Sequence, residues 1–295
     1  MQMQSDKEDT MQKGKHTVRT IQEMKDRGEI ITMLTAYDYP TAQQINEAGI
    51  DMILVGDSCA MVVHGHPNTL TATMDMMVLH CAAVARACDR TMVVADMPFG
   101  SFQYGIEETM RNAARFVTEA KVDAVKFEAT PHHIEKTRAI VEMGIAVVGH
   151  VGLHPQAVGA LGGLSVQGKS VETARKVVRE ALALQEAGVF AIIFEAVPAK
   201  LAGYVTRKLR VPTISIGGGP LCSGQLLVTP DVLGMFDRFT PSFAKRYQEF
   251  NKLMKQTFTQ YAEEVRRGVF PGEAHSYKMS DEVLEAIEAE FGKAE

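Results

Sequence analysis

Residues 124–150, AVKFEATPHHIEKTRAIVEMGIAVVGH, read as one complete strand–helix–strand unit, and its repetition decides the fold. The apolar run 124–127 lacks the alternation of a half-exposed strand, as a strand buried on both faces should. Thr130 can cap a helix whose first residue is Pro131, where a missing N–H costs nothing, and Gly144 suits the left-handed end of that helix. A second apolar run, 146–149, follows at once. Outward from this unit, similar runs recur at 31–35, 52–55, 92–95, 191–194 and 213–216, with a weaker eighth at 226–228. Repeated βα units give either a closed barrel or an open doubly wound sheet. Eight runs in about 200 residues predict the closed α/β form, a (β/α)8 barrel.

The flanking segments complete the plan. Residues 1–14 predict a flexible N-terminus, 15–240 the catalytic barrel, and 241–295 a C-terminal helical extension packed on it. Thr17 to Arg27 reads as a short amphipathic helix stopped by Gly28. Ser170 can cap a further helix ending near Gly188, with Val171, Ala174, Val178, Ala181 and Leu182 as its apolar stripe. The Gly-rich stretch from Val151 to Lys169 is long for a βα connection and predicts a lid or binding loop.

Hydrophobic residues make up 46% of the 295, enough for a core that needs no disulfide staples. A net charge of −5 leaves no basic footprint for nucleic acid. Cys59, Cys81, Cys88 and Cys222 form no C-x-x-C pair and read as packing groups in a reducing compartment. No apolar stretch is long enough for a bilayer, and the polar start lacks a signal-peptide core. The expected location is cytoplasmic, or mitochondrial if a presequence has been removed.

In a (β/α)8 barrel the chemistry sits at the C-terminal ends of the strands. The residues following the apolar runs are Asp38, Asp57 with Ser58, Asp96, Lys126 and Glu128 about Phe127, His150, Glu195, and Gly217 to Gly219. A single Asp after a strand is usually a turn former or helix cap, and Asp38 before Tyr39-Pro40 fits that. Three carboxylates converging on one mouth, Asp57, Asp96 and Glu128, would repel one another unless a cation neutralised them. Oxygen ligands without histidine or thiolate partners point to a hard cation, Mg²⁺ first. Lys126 shares a strand face with Glu128, so it serves either as a structural ion pair or as a holder of substrate charge. His150 is either a satisfied buried histidine or a polar group of the rim. Glu195 follows an apolar strand with no basic neighbour in sequence, an environment that raises a carboxyl pKa as a general base requires; the alternative is a salt bridge to a distant partner.

Several stretches are similar to motifs of the ketopantoate hydroxymethyltransferase family. They are Thr35-Ala36-Tyr37-Asp38-Tyr39-Pro40, Val55-Gly56-Asp57-Ser58, Asp96-Met97-Pro98-Phe99-Gly100-Ser101 and Asp123-Ala124-Val125-Lys126-Phe127-Glu128. Gly149-His150-Val151-Gly152-Leu153, Val166-Gln167-Gly168-Lys169, Cys222-Ser223-Gly224-Gln225 and Phe270-Pro271-Gly272 follow in order. Cys59-Ala60, Ala129-Thr130, His154 and Gly217-Gly218-Gly219 depart from the usual pattern. The resemblance implies a barrel of the phosphoenolpyruvate/pyruvate-type superfamily with extra terminal helices. It implies hydroxymethyl transfer from 5,10-methylenetetrahydrofolate to 3-methyl-2-oxobutanoate, giving 2-dehydropantoate for pantothenate biosynthesis. Carried over by motif, Asp57, Asp96 and Glu128 take Mg²⁺, while Asp57, Ser58, Asp96, Lys126 and His150 meet the substrate. Glu195 is the proton acceptor. The expected partners are the 2-oxo acid, the folate and further copies of the chain, a decamer by resemblance, with neither nucleic acid nor membrane. The alternative is another Mg²⁺-dependent C–C lyase or mutase of the same superfamily acting on a 2-oxo acid.

Overall fold

The computed structural model describes residues 14–161, 163, 165–236 and 241–293, so the expected flexible 1–14 lies, apart from Gly14, outside the described residues. Eight parallel strands close in sequence order: β1 (Ile31–Thr35), β2 (Met52–Val55), β3 (Met92–Asp96), β4 (Ala124–Lys126), β5 (Ala146–Gly152), β6 (Ala191–Glu195), β7 (Thr213–Ile216) and β8 (Gly224–Leu227). The helices are α1 (Val18–Asp26), α2 (Tyr39–Glu47), α3 (Cys59–Val62), α4 (Met74–Ala87), α5 (Ile106–Thr118), α6 (Ile134–Glu142), α7 (Val158–Leu161), α8 (Val171–Glu186), α9 (Ala199–Lys208), α10 (Thr229–Val232), α11 (Phe250–Arg266) and α12 (Asp281–Phe291).

Period-two geometry sorts each strand between two cores. Met33, Met52, Leu54, Met92, Val94, Ala124, Val148 and Ile193 fill the barrel, closed at its base by Ile21 and Met24 of α1. Ile53, Val55, Val93, Ala95, Val125, Phe127 and Phe194 face the helices. Phe127 there meets Phe102 with ring centroids 5.1 Å apart.

Capping follows local chemistry. Asp38 caps α2, its Oδ1 accepting from Thr41 N at 2.9 Å. Ser170 caps α8, accepting from Thr173 N at 3.2 Å. Thr130, in contrast, makes no side-chain cap hydrogen bond: Pro131–His133 form a 3-10 turn, and α6 begins only at Ile134.

Four further expectations are corrected. The stripe proposed for α8 holds only in part: Ala181 is buried and Val178 packs on the core, but Val171 and Leu182 are exposed, and Val177 and Leu184 are buried instead. Both sets have helical spacing, and the selection comes from tertiary contact, since Leu184 lies against Gly149 of β5. The eighth strand begins at Gly224, two residues before the apolar run, because Gly224 comes so close to Ile31 that a Cβ there would meet the Ile31 carbonyl oxygen at 2.5 Å. β5 continues to Gly152, so His150 lies within a strand and not at its end. Finally, no residue of α11 or α12 is buried. The extension is joined to the barrel by its first residues only: Tyr247, Phe250 and Asn251 donate main-chain hydrogen bonds to Val232, Leu233 and Gly234. Beyond them, α11 and α12 present apolar residues to solvent that the barrel of the same chain does not cover.

Candidate active site

The interior phase of each strand carries on to the rim. Asp96 continues Met92 and Val94, Lys126 and Glu128 continue Ala124, His150 continues Val148, and Glu195 continues Ala191 and Ile193. All of them point inward for the same reason that the apolar residues below them do. They line one pocket together with Asp57 and Ser58, over apolar walls that include Leu54, Ile193, Ile216 and Leu226. All seven residues singled out from the sequence are therefore neighbours in space. Asp38 is not among them.

On one side, Lys126 Nζ lies 3.0 Å from Asp96 Oδ1 and donates to Oδ2 at 3.1 Å, both side chains being buried. The partner expected for Lys126 was Glu128. Cross-strand register places Asp96 directly opposite Lys126, whereas Glu128 lies two residues farther along the same strand. Burial pushes the Asp96 carboxyl up to about 7, against the pull of Lys126. Burial also works against the charge on Lys126, but Asp96, Glu128 and Asp57 outweigh it and raise its pKa. Burial lifts Glu128 well above the carboxylate range. The main-chain N–H of Asp57 donates to Asp96 Oδ2 at 3.3 Å.

Across the mouth, Glu195 Oε2 is 3.2 Å from His150 Nε2. The absence of a basic neighbour holds along the chain and fails in space: the pairing of β5 with β6 sets Gly152 opposite Glu195 and brings His150, two residues earlier on the same face, to its side. His150 is fully buried, and that burial drives its pKa well below the usual value, so the imidazole is neutral. Burial raises Glu195 to about 8. The result is a carboxyl that holds a proton at neutral pH and is strongly basic when it loses it. Gly152 (φ +100°) sits where a Cβ would lie 2.2 Å from the Glu195 carbonyl oxygen. Leu153 N donates to that same oxygen at 2.9 Å.

Sequence reasoning missed three polar neighbours. Tyr37 places its hydroxyl 2.9 Å from Ser58 Oγ. His154 lies beside His150, with ring centroids 5.1 Å apart, and burial holds it down to about 4. Gln156 donates from Nε2 to Asp57 Oδ2 at 2.9 Å and from its main chain to Glu128 Oε2 at 3.1 Å. Strand phase finds none of these, since each lies in a connection. For Gln156, the signals were its place in a long Gly-rich loop and in the stretch His154-Pro155-Gln156, which matches a Thr-Pro-Gln of the resembled family except at His154.

Among the described residues, no group of three or more His, Cys, Asp or Glu is set out to hold a metal ion unaided. Gln156 is drawn between Asp57 and Glu128 of the acidic trio. That set still fits a hard cation. Mg²⁺ commonly keeps several waters and takes only one or two protein carboxylates. Asp96 Oδ1 is buried beside the Lys126 ammonium at 3.0 Å without an aligned hydrogen bond, and the Asp57 main chain is linked to the same carboxylate.

Fold and site together define a class: a (β/α)8-barrel enzyme whose polar pocket stands at the C-terminal rim of its strands. Solved structures of phosphonopyruvate hydrolase with oxalate and Mg++, and of 2,3-dimethylmalate lyase, a PEP mutase/isocitrate lyase superfamily member, share this fold. Their TM-scores are 0.57 and 0.55 at 15% identity, covering 94% and 92% of this chain and 100% and 93% of theirs. The sequence profile described as ketopantoate hydroxymethyltransferase matches residues 15–273. The 3-methyl-2-oxobutanoate hydroxymethyltransferase of Acetivibrio thermocellus is 48% identical over 274 residues, 93% of this chain and 97% of that one. The chain belongs to the ketopantoate hydroxymethyltransferase family of enzymes.

Proposed function

We propose that this enzyme transfers a hydroxymethyl group from 5,10-methylenetetrahydrofolate to 3-methyl-2-oxobutanoate, forming 2-dehydropantoate for pantothenate biosynthesis. The observation that carries the reading is the division of the pocket. A buried cluster of Asp57, Asp96, Lys126 and Glu128 stands on one side, and a separate carboxyl, Glu195, with a pKa near 8, stands on the other. Asp57 and Asp96 are the residues that would hold Mg²⁺ directly, with Glu128 reaching it through water. When bound, the ion supplies Lewis-acid stabilisation of the negative charge that develops on the ketone oxygen.

The chain's own groups supply the rest. Lys126 and Ser58 hold the keto acid, Lys126 by a fixed positive charge and Ser58 by a hydroxyl kept in place by Tyr37. Glu195, once ionised, takes the C3 proton, which is acidic because it neighbours a carbonyl. The electron pair of that C–H bond moves into an enolate, whose carbon attacks the folate methylene carbon as one of its carbon–nitrogen bonds breaks; one water then supplies the hydroxyl as the second carbon–nitrogen bond breaks, releasing tetrahydrofolate. A base with a pKa near 8 suits this task better than an ordinary carboxylate, since proton transfer improves as base and operating pH approach one another. Neutral His150 borders Glu195 without forming a permanent ion pair that would weaken it. Pro155, in the segment after β5, lines the pocket, and closure of that segment over bound substrate would limit the access of bulk water, as lid loops do.

The test is turnover of 3-methyl-2-oxobutanoate with methylenetetrahydrofolate, together with exchange of the C3 proton for deuterium, each with and without chelator. Metal- and folate-dependent turnover is expected, with exchange that needs metal alone. Full activity after exhaustive metal removal would reject the metal reading. Turnover of the keto acid by cleavage, with no need for folate, would favour a lyase of the same barrel superfamily.

A further inference from the structure

Resting on the reading above, we propose that Gln156 is a positioning residue that sets the spacing of the carboxylates at the metal-binding side of the pocket. Gln156 lies in a 3-10 turn after β5 and is 5% exposed. Its Nε2 donates to Asp57 Oδ2 at 2.9 Å and to the Met97 carbonyl oxygen at 3.0 Å. Its main-chain N–H reaches both carboxylate oxygens of Glu128, at 3.1 and 3.3 Å. One residue thus ties the acid that follows β2 to the acid that follows β4, across the strand that separates them.

The side-chain orientation is forced. Rotating the amide by half a turn would set its oxygen against the Asp57 carboxylate and the Met97 carbonyl, two acceptors. The observed arrangement uses both amide hydrogens and leaves Oε1 buried without a partner. An amide held only by its donors, at the cost of an unsatisfied acceptor, is maintained for what those donors hold.

The consequence for Asp57 is specific. With Oδ2 engaged by Gln156, its carboxylate cannot rotate freely, and Oδ1 is left for a cation. A neutral donor also lowers the repulsion between Asp57 and Glu128 without competing with a cation as a second lysine would. Partners of this kind commonly change metal affinity by about 10–100-fold when removed.

The experiment uses the full-length chain and Mn²⁺ as the probe, followed by its electron paramagnetic resonance signal, on wild type and Gln156→Met. Methionine keeps length and volume and removes both donors. Mn²⁺ binding at least tenfold weaker is expected, with C3 deuterium exchange largely restored at saturating Mn²⁺. Unchanged Mn²⁺ affinity in a folded Gln156→Met overturns the proposal and leaves the function standing. Failure of the wild type itself to bind Mn²⁺ overturns the metal reading, and this inference with it. If Gln156→Met folds poorly, the Mn²⁺-induced rise in melting temperature, compared with that of wild type, decides the matter. A smaller rise supports the role and an equal rise rejects it.

Discussion

At the scale of single residues, the pocket is governed by the cost of removing charge from water. Asp96 and Glu195 are both pushed up, to about 7 and about 8, chiefly by burial. For Glu195 the ordinary value is 4.5, so between 4.5 and about 8 the folded protein holds a proton that the unfolded chain has lost. The native state then binds more protons than the unfolded state, and stability falls as pH rises through that window. Metal-free protein should therefore lose about 1 kcal/mol per pH unit for each such carboxyl, read from denaturant midpoints at several pH values in chelator. Glu195→Gln should flatten the slope, still bind the keto acid, and fail to exchange its C3 proton. Normal exchange in that variant would reject Glu195 as the base. The identities of these residues were legible in the sequence, because each ends an apolar run. Their partners were not. That Lys126 meets Asp96 and His150 meets Glu195 depends on register between strands, which no single strand contains.

At the scale of elements, the segment after β5 does more than span a gap. Its first residues continue the strand, Leu153 N donates to the Glu195 carbonyl oxygen, and Gln156 reaches Asp57 and Glu128. On its return, Gln167 N donates to the Ala196 carbonyl oxygen at 2.9 Å, and Ala196 itself has φ +48°. The main chain at Glu195 and Ala196 is therefore held from both ends of one connection. Gly152→Ala tests this: its Cβ would lie 2.2 Å from the Glu195 carbonyl oxygen, at a φ that side chains other than glycine rarely adopt. The expected result is a fall of tenfold or more in C3 deuterium exchange, about 1.4 kcal/mol in barrier, with little change in Mn²⁺ affinity. A variant that exchanges at the wild-type rate would show that Gly152 serves only the strand. The helix caps at Asp38 and Ser170 were readable in advance because they are local, a side chain meeting an N–H three residues on. The buried face of α8 was not, because two stripes one step apart satisfy the same period and only contact with β5 chose between them.

At the scale of the whole molecule, the uncovered apolar residues of α11 and α12 are the main loose end. Phe258, Tyr261, Leu284 and Ile287 are each about half exposed or more. Apolar side chains exposed in such number on two helices commonly mark a surface that a partner covers. We infer that copies of the chain cover it in an assembly, a decamer by family resemblance. Phe258→Glu with Ile287→Glu should shift light-scattering mass toward smaller species while leaving the barrel folded. An unchanged mass would remove these helices from the interface. Among the described residues, no helix is long and apolar enough to cross a membrane.

What the sequence determined by itself is the alternation of buried strands and capped helices, and with it the row of acids, lysine, histidine and glutamate that the barrel brings to one rim. Those features follow from local periodicity, which every segment carries within itself. Tertiary structure alone decided which of these groups touch: Lys126 on Asp96, His150 beside Glu195, Gln156 between Asp57 and Glu128. Those contacts depend on distances across a closed barrel. Such distances are set by register, strand closure and the path of a loop, and none of the three is a property of any one stretch of chain.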